Sequence, residues 1–241
     1  MTYPLEEKRC LRIGHRGASA HAPDNTLSSF RRAAELGADR VELDVQRTAD
    51  GQAAVIHDLY LHTPSGQVLP VKEATLSELR AVDLGGGEHV PTLVEALAVI
   101  RAAGLGAYIE LKDGGAISLV VRALVELDFA SQVVAGSFRP DWVADFKTSM
   151  PQVSGSVLFS SKAIDGSRAV CLASAAGASF VHPCWESDPH PSALLTPTWL
   201  GAVRAAGLGI VCWHEERPAE IAALLSLGVD GICSDRPELL A

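Results

Sequence analysis

Short apolar segments recur along the chain and are separated by amphipathic segments. The first apolar segment covers residues 11–14, and the next, residues 40–45, alternates apolar and polar positions with period two, as is typical of a strand. Six further strand candidates follow at residues 107–111, 132–137, 153–158, 179–182, 209–213 and 231–234. The pattern therefore predicts eight strands.

The amphipathic segments between these strands are helix candidates. They cover residues 26–36, 92–103, 117–128, 140–148, 167–176, 197–206 and 218–227, with a short terminal stub at 237–240. Alternation of strand and helix predicts right-handed βαβ units and a parallel sheet. Eight such units favour a closed (β/α)8 TIM barrel, which holds about 250 residues in one domain. A doubly wound open sheet is the alternative, although no G-x-G-x-x-G sequence follows the first strand.

One segment interrupts this regular alternation. Residues 58–91 separate the second strand from its helix and contain turn signals and one short helix candidate at residues 76–82. In a barrel, such a connection lies at the carboxyl ends of the strands, where active sites form. We therefore expect one barrel domain over residues 1–241, with a small insertion at 58–91 beside the mouth.

The composition favours a globular protein that binds a small molecule. The formal net charge is −9 and no basic run is present, which argues against a nucleic-acid groove. No stretch approaches about 18 uninterrupted apolar residues, so we expect no stable membrane insertion. The polar N-terminal segment does not resemble a signal peptide, and the five cysteines contain no C-x-x-C pair. These features predict buried thiols and a cytoplasmic location.

Ionisable side chains gather where the early strands end. Glu42 and Asp44 lie at i and i+2 of the second strand and so share a face, and Glu110 and Lys112 repeat this spacing at the end of the third. Converging carboxylates repel one another, and a divalent cation relieves that repulsion. Ligands that are all oxygen atoms suit Mg²⁺ or Ca²⁺ better than zinc. The alternative is an ion-pair network with the nearby cations Arg16, Arg47 and Lys112.

Histidines also lie at the ends of predicted strands. His15 follows the first strand and His57 opens the insertion, so both are placed to face the mouth. An imidazole can give and take a proton near neutral pH. His182 and His214 lie at later strand ends and are open to either a structural or a functional interpretation.

A series of short motifs extends through nearly the whole chain. In order, they are Gly14-His15-Arg16-Gly17, Ala22-Pro23-Asp24-Asn25-Thr26, Glu42-Leu43-Asp44-Val45, His57-Asp58, Pro91-Thr92-Leu93, Glu110-Leu111-Lys112, Ser137-Phe138, Trp213, Gly228-Val229-Asp230-Gly231 and Ser234-Asp235-Arg236-Pro237. Each motif alone is weak, but the series resembles the glycerophosphodiester phosphodiesterase family.

The resemblance implies a TIM barrel that hydrolyses glycerophosphodiesters to an alcohol and sn-glycerol 3-phosphate. It implies that Glu42, Asp44 and Glu110 bind a divalent metal ion, with Mg²⁺ and Ca²⁺ as the first candidates and Mn²⁺ as a further one. It also implies two groups of reacting or binding residues: His15 and His57 as general acid and base, and Arg16 and Lys112 as phosphate ligands.

Aromatic side chains on the later connections suggest a pocket for the rest of the substrate. These are Phe138, Trp185 and Trp213, of which Trp213 stands where the family places an aromatic residue. Aromatic faces can contact the glycerol carbons or a quaternary ammonium group. We therefore expect Trp213 and Phe138 to bind substrate, while the alternative for Trp185 and Phe138 is that they only cover the rim of the barrel.

Two positions depart from the family's usual pattern. Asp24 stands where Glu is usual, and His214-Glu215-Glu216 follows Trp213 where Thr-Val-Asn or Thr-Val-Asp is common. The second departure is open to two interpretations. The extra groups alter which alcohol is accepted, or they are solvated charges at the start of a helix.

Two rival functions share the same barrel. A lysophospholipase D-like or cyclising phosphodiesterase would act on lysophospholipids, but no amphipathic helix that could face a membrane is evident in the sequence. A catalytically idle barrel would bind a phosphorylated ligand, but it would not need every polar position of the motifs, all of which the chain retains.

Overall fold

Eleven strands and eight α-helices form the described part of the computed structural model. The structure describes residues 9–63, 65–160, 165–185 and 188–241. The polar N-terminal segment discussed above, up to residue 8, lies outside the described residues.

The strands follow one another along the chain with the following bounds: β1 Leu11–Gly14, β2 Arg40–Arg47, β3 Ala53–Val55, β4 Tyr60–His62, β5 Val68–Pro70, β6 Gly106–Leu111, β7 Val133–Ser137, β8 Ser154–Ser160, β9 Phe180–Cys184, β10 Gly209–Cys212 and β11 Gly231–Ser234. The helices are α1 Leu27–Glu35, α2 Leu76–Arg80, α3 Leu93–Ala102, α4 Ile117–Glu126, α5 Pro140–Ser149, α6 Gly166–Ala175, α7 Pro197–Ala205 and α8 Pro218–Ser226. Pro237–Leu240 forms a final 3-10 turn.

Eight parallel strands close into a barrel. The strands pair in the order β1, β11, β10, β9, β8, β7, β6 and β2, and β2 pairs back with β1 through Ile13–Arg40 and Gly14–Val41. This closing pair confirms the TIM barrel and excludes the doubly wound open sheet. Every strand and helix predicted from the sequence is present, with ends that differ by at most two residues.

The excursion after β2 differs from the prediction. It begins directly after β2, because the short strand β3 folds back antiparallel to β2 with Val45 opposite Val55. An antiparallel hairpin of β4 and β5 follows, and then α2. Strands of three residues carry too few positions for the period-two alternation to be recognised, which is why the sequence predicted only the helix.

Side chains of the barrel strands alternate between the helix layer and the barrel interior. In β2, Val41, Leu43 and Val45 belong to the core that packs against the helices. The intervening residues Glu42 and Asp44 therefore project into the barrel. None of the helices in the described ranges is long and apolar enough to cross a membrane.

Candidate active site

Three carboxylates meet at the carboxyl ends of β2 and β6. Asp44 and Glu110 stand opposite each other in the parallel register, and Glu42, opposite Tyr108, lies two residues before Asp44 on β2. One oxygen from each carboxylate lies within 4.8 Å of the others, and all three side chains are buried. Burial, together with the neighbouring charges of Asp44 and Glu110, raises the pKa of Glu42 well above its usual value. Burial and the charge of Asp44 raise the pKa of Glu110 to about 7.

Two cations border this carboxylate cluster. The Lys112 Nζ atom lies 3.1 Å from Glu110 Oε1 and 3.8 Å from Asp44 Oδ1. The backbone N–H of Arg16 donates to Glu42 Oε2 at 2.9 Å, and Arg16 Nε lies 3.5 Å from Asp44 Oδ2. The ion-pair network predicted as an alternative is thus formed by two of its three cations. It leaves Asp44 Oδ1 and Arg16 Nε buried without a hydrogen-bond partner among the described residues.

The loop after β1 holds Arg16 against the cluster. Asn25 links the two elements: its Nδ2 donates to Asp44 Oδ2 at 2.9 Å, and its Oδ1 accepts from the Asp44 backbone N–H at 3.2 Å. Its backbone N–H donates to the Arg16 carbonyl, and both residues adopt positive φ, 52° for Arg16 and 56° for Asn25. Asp24 still reaches Arg16 Nη1 at 2.9 Å despite being shorter than the usual Glu. No role for Asn25 was predicted, because its partner lies on another element.

The strand β3 brings His57 to the same side of the barrel. The backbone N–H of Ile56 donates to the Asp44 carbonyl at 3.0 Å. The side-chain amide of Gln46 donates to the carbonyls of Ile56, His57 and Asp58 at 3.0, 3.0 and 2.8 Å. These bonds fasten the chain after β3 beside the carboxylates. The His57 Nδ1 atom lies 2.7 Å from Asp58 Oδ1, which leaves the opposite ring nitrogen, Nε2, for other partners.

A cavity opens beside His57 under the insertion. Its volume is about 250 Å³. It is lined on the barrel side by Asp24 and Asn25 and on the insertion side by Tyr60, Leu61 and Leu84. The insertion predicted to border the mouth therefore does so.

His15 is held from the other side of the barrel. Its Nδ1 lies 2.6 Å from Asp235 Oδ1, and Ser19 Oγ donates to the same carboxylate oxygen at 2.7 Å. Burial lowers the pKa of His15. Burial by itself raises the pKa of Asp235, but the hydrogen bond from His15 outweighs this effect and lowers the pKa of that carboxyl to about 2. The sequence motif contained Asp235, but the contact depends on barrel closure, so its role was not predicted.

Aromatic rings line the barrel beside His15. The ring of Trp213 lies edge-on at 5.3 Å from the His15 ring and at 5.9 Å from Phe138. Trp213 is buried, whereas Phe138 is 41% exposed and can meet a ligand directly. Trp185 packs instead with Leu195 and other residues of the core outside the barrel.

The two histidines left open by the sequence differ in role. His182 is buried beneath the mouth, where Tyr108 Oη lies 2.7 Å from its Nδ1, and burial lowers its pKa to about 3. It is therefore a neutral residue of the barrel interior. His214 stacks on His15 with ring centroids 4.8 Å apart, which places it in the site.

Comparisons with known proteins agree with this geometry. Residues 15–239 of the chain match the sequence-family model for the glycerophosphoryl diester phosphodiesterase family. The chain is 31% identical to a glycerophosphodiester phosphodiesterase of Caldanaerobacter subterraneus subsp. tengcongensis, over 96% of each protein. It is similar to a solved glycerophosphodiester phosphodiesterase from Agrobacterium tumefaciens, with a TM-score of 0.79, 28% identity and coverage of 95% and 97% of the two chains. It is also similar to an Oleispira antarctica phosphodiesterase in complex with the product sn-glycerol-3-phosphate, with a TM-score of 0.83, 26% identity and coverage of 95% and 94%.

The raised carboxyl pKa values predict that the metal-free protein loses stability as the pH rises. The pKa of Glu110 is about 7 in the folded protein against 4.5 as its usual value. Its contribution is therefore fully present below about pH 4.5 and is lost as the pH rises through 7. Between about pH 5 and pH 8 in a chelator, we expect the free energy of unfolding of the wild type to fall by up to about 3 kcal/mol more than that of Glu110→Gln.

Urea denaturation at several pH values measures this difference. Glu126→Gln is the matched control, because Glu126 is an exposed carboxylate on α4, and it should keep the wild-type pH dependence. Equal pH dependence in the wild type and Glu110→Gln would contradict the prediction.

Proposed function

The chain belongs to the glycerophosphoryl diester phosphodiesterase family, and on this premise we propose that it hydrolyses soluble, deacylated glycerophosphodiesters to an alcohol and sn-glycerol 3-phosphate. The observation that carries the proposal is the buried cluster of Glu42, Asp44 and Glu110, bordered by Arg16 and Lys112 at the mouth of the barrel. The product bound to the Oleispira antarctica relative supports the same product here. We propose that the single barrel domain carries the whole reaction.

The carboxylate cluster fits a divalent metal ion. Its three ligands are oxygen atoms, which suit Mg²⁺ or Ca²⁺ and also accept Mn²⁺. Asp44 Oδ1 is buried without a hydrogen-bond partner among the described residues, and three carboxylates face only two bordering cations. When bound, the ion would polarise a phosphate oxygen and neutralise part of its charge.

Arg16 and Lys112 hold the phosphate in this proposal. The Arg16 guanidinium forms ion pairs with Asp44 and Asp24, and the Lys112 ammonium forms one with Glu110, so both positive charges stay at the mouth. Arg16 Nε lies 3.5 Å from Asp44 Oδ2 without forming a hydrogen bond among the described residues, so an anionic phosphate oxygen would compete with Asp44 for it. Fixed cations at this place neutralise the charge that gathers on the phosphoryl oxygens in the transition state.

His15 and His57 move the protons. Each imidazole is held at Nδ1 by a carboxylate, His15 by Asp235 and His57 by Asp58. This arrangement fixes the ring orientation and leaves Nε2 for the substrate. One histidine takes a proton from the attacking nucleophile, which is either water or a glycerol hydroxyl of the substrate, and the other gives a proton to the departing alkoxide oxygen.

Trp213 and Phe138 bind the organic part of the substrate. Their rings contact each other and lie on the His15 side of the mouth. The substrate is thus a small molecule with one charged and one weakly polar half. Three of the five cysteines are buried as free thiols, which supports the cytoplasm as the place of the reaction.

The first test removes the metal ligands. We expect Glu42→Gln and Glu110→Gln each to lower phosphodiesterase activity at least about a hundredfold, because each loses a charged ligand of the ion. Activity is measured with Mg²⁺, Ca²⁺ or Mn²⁺ added in turn, and Glu126→Gln again serves as the control. Full activity in excess chelator would overturn the metal-dependent proposal.

The second test removes the proton carriers. His15→Ala and His57→Ala should each lower kcat by about 10²–10⁴-fold. The double variant should lose less than the product of the two single losses, because both groups serve one reaction. The wild-type pH profile should be bell-shaped, and one limb should disappear in each variant. A His57→Ala variant with wild-type turnover and pH profile would show that His57 is structural.

The third test addresses the substrate. Trp213→Ala should raise KM more than it lowers kcat, because in this proposal the ring lines the pocket for the organic part of the substrate and carries no proton. Release of sn-glycerol 3-phosphate from soluble diesters is followed with a coupled dehydrogenase. Efficient cleavage of lysophospholipids, with negligible release from every soluble diester, would instead support the lysophospholipase D-like alternative.

A further inference from the structure

The segment after Trp213 contains one carboxylate with a purely structural contact. Glu215 is buried and binds the guanidinium of Arg217 at 2.7 and 2.6 Å. The same guanidinium donates to the carbonyls of Asp188 and Pro189. Through Arg217, Glu215 therefore fastens the connection after β9 to the connection after β10.

His214, one residue earlier, packs directly on His15. The two rings are nearly parallel, with an interplanar angle of 11° and centroids 4.8 Å apart. The edge-on ring of Trp213 lies 5.3 Å away on another side. The His15 imidazole, which is only 5% exposed, is thus bounded by two other rings.

Glu216 holds both the stacked ring and the carboxylate that orients His15. Its two carboxylate oxygens lie 3.1 and 3.0 Å from His214 Nδ1. Its Oε1 also accepts the backbone N–H of Asp235 at 2.9 Å and the hydroxyl of Ser234 at 3.1 Å. One side chain on the connection after β10 therefore fixes two neighbours of His15 from different strands.

We propose that His214, held by Glu216, is a positioning residue that clamps the His15 imidazole in the orientation set by Asp235 and places a titratable charge against its face. The proposal deepens the proposed function and rests on it, because it takes His15 as a proton carrier. It also gives a role to His214 and Glu216, two of the three residues that depart from the family's usual pattern after Trp213.

The electrostatic part follows from the groups around His15. Asp235 favours the charged form of the His15 imidazole, whereas the charges of Arg16 and His214 disfavour that form. The buried side chains of His182 and Glu42 lie on the neighbouring parts of the barrel wall. Burial raises the pKa of Glu216, but the hydrogen bond and the positive charge of His214 lower it below its usual value, so the carboxylate stays charged beside His214. Two like charges 4.8 Å apart repel, so a protonated His214 adds to the effect of burial and lowers the pKa of His15.

Three variants separate the clamp from the charge. His214→Ala removes both, and we expect kcat to fall about tenfold or more with a smaller change in KM, since His15 is then less well oriented. His214→Phe keeps a ring on His15 and should recover most of that loss. Glu216→Gln weakens the hold on His214 and Asp235 and should lower kcat as well.

The pH dependence tests the charge. In His214→Phe, the limb of the kcat/KM profile that reports His15 should move to higher pH, because the opposing positive charge is gone. His190→Phe is the matched control: His190 also faces a glutamate, Glu220 at 3.4 Å, but is largely exposed. It should keep the wild-type profile and kcat.

NMR titration of the His15 imidazole in the metal-loaded protein gives a readout that does not depend on turnover. We expect the pKa of His15 to rise in His214→Phe and to stay unchanged in His190→Phe. An unchanged His15 pKa in His214→Phe, or wild-type kcat in His214→Ala, overturns this inference. Wild-type turnover of His15→Ala, by contrast, overturns the proposed function, so the two failures are distinguishable.

Discussion

Repulsion among three buried carboxylates is the constraint on which the mouth of this barrel depends. The parallel register of β2 and β6 fixes the backbone positions of Glu42, Asp44 and Glu110, and it places their carboxylates close together inside the barrel. The surrounding contacts all act to reduce this repulsion: a lysine at one edge, an arginine and its backbone N–H at another, and an asparagine amide between. These contacts leave part of the negative charge of the carboxylates uncompensated, and we propose that a bound metal ion neutralises it.

The loop after β1, which supplies Arg16 and Asn25, is itself under strain. Arg16 and Asn25 both adopt positive φ, a conformation that costs roughly 1–2 kcal/mol for a residue other than glycine, and less for asparagine. Their mutual backbone hydrogen bond and the contacts with Glu42 and Asp44 hold the loop in this shape. The strained backbone thus lowers the stability of the folded protein, but it fixes the positions of the charged groups around the carboxylates.

The sequence predicted the parts of the molecule that repeat with a regular period. Period-two alternation in β2 placed Glu42 and Asp44 on one face, and the count of strand–helix units predicted the barrel. It did not predict contacts between residues far apart in sequence, such as Asp235 with His15 or Asn25 with Asp44, because these exist only after the strands are arranged in space. The three-residue strand β3, which places His57, was also missed because so short a strand shows no clear period.

Closure of the barrel by β1 and β11 also has a consequence for biosynthesis. A nascent chain that has been translated only through β10 already contains the three carboxylates, both cations and His15. It still lacks Asp235, and the backbone N–H of His15 has no Ser234 carbonyl to bond. The acidic half of the mouth therefore draws only on residues that precede β11, whereas the His15 half is complete only once β11 has been made and pairs with β1.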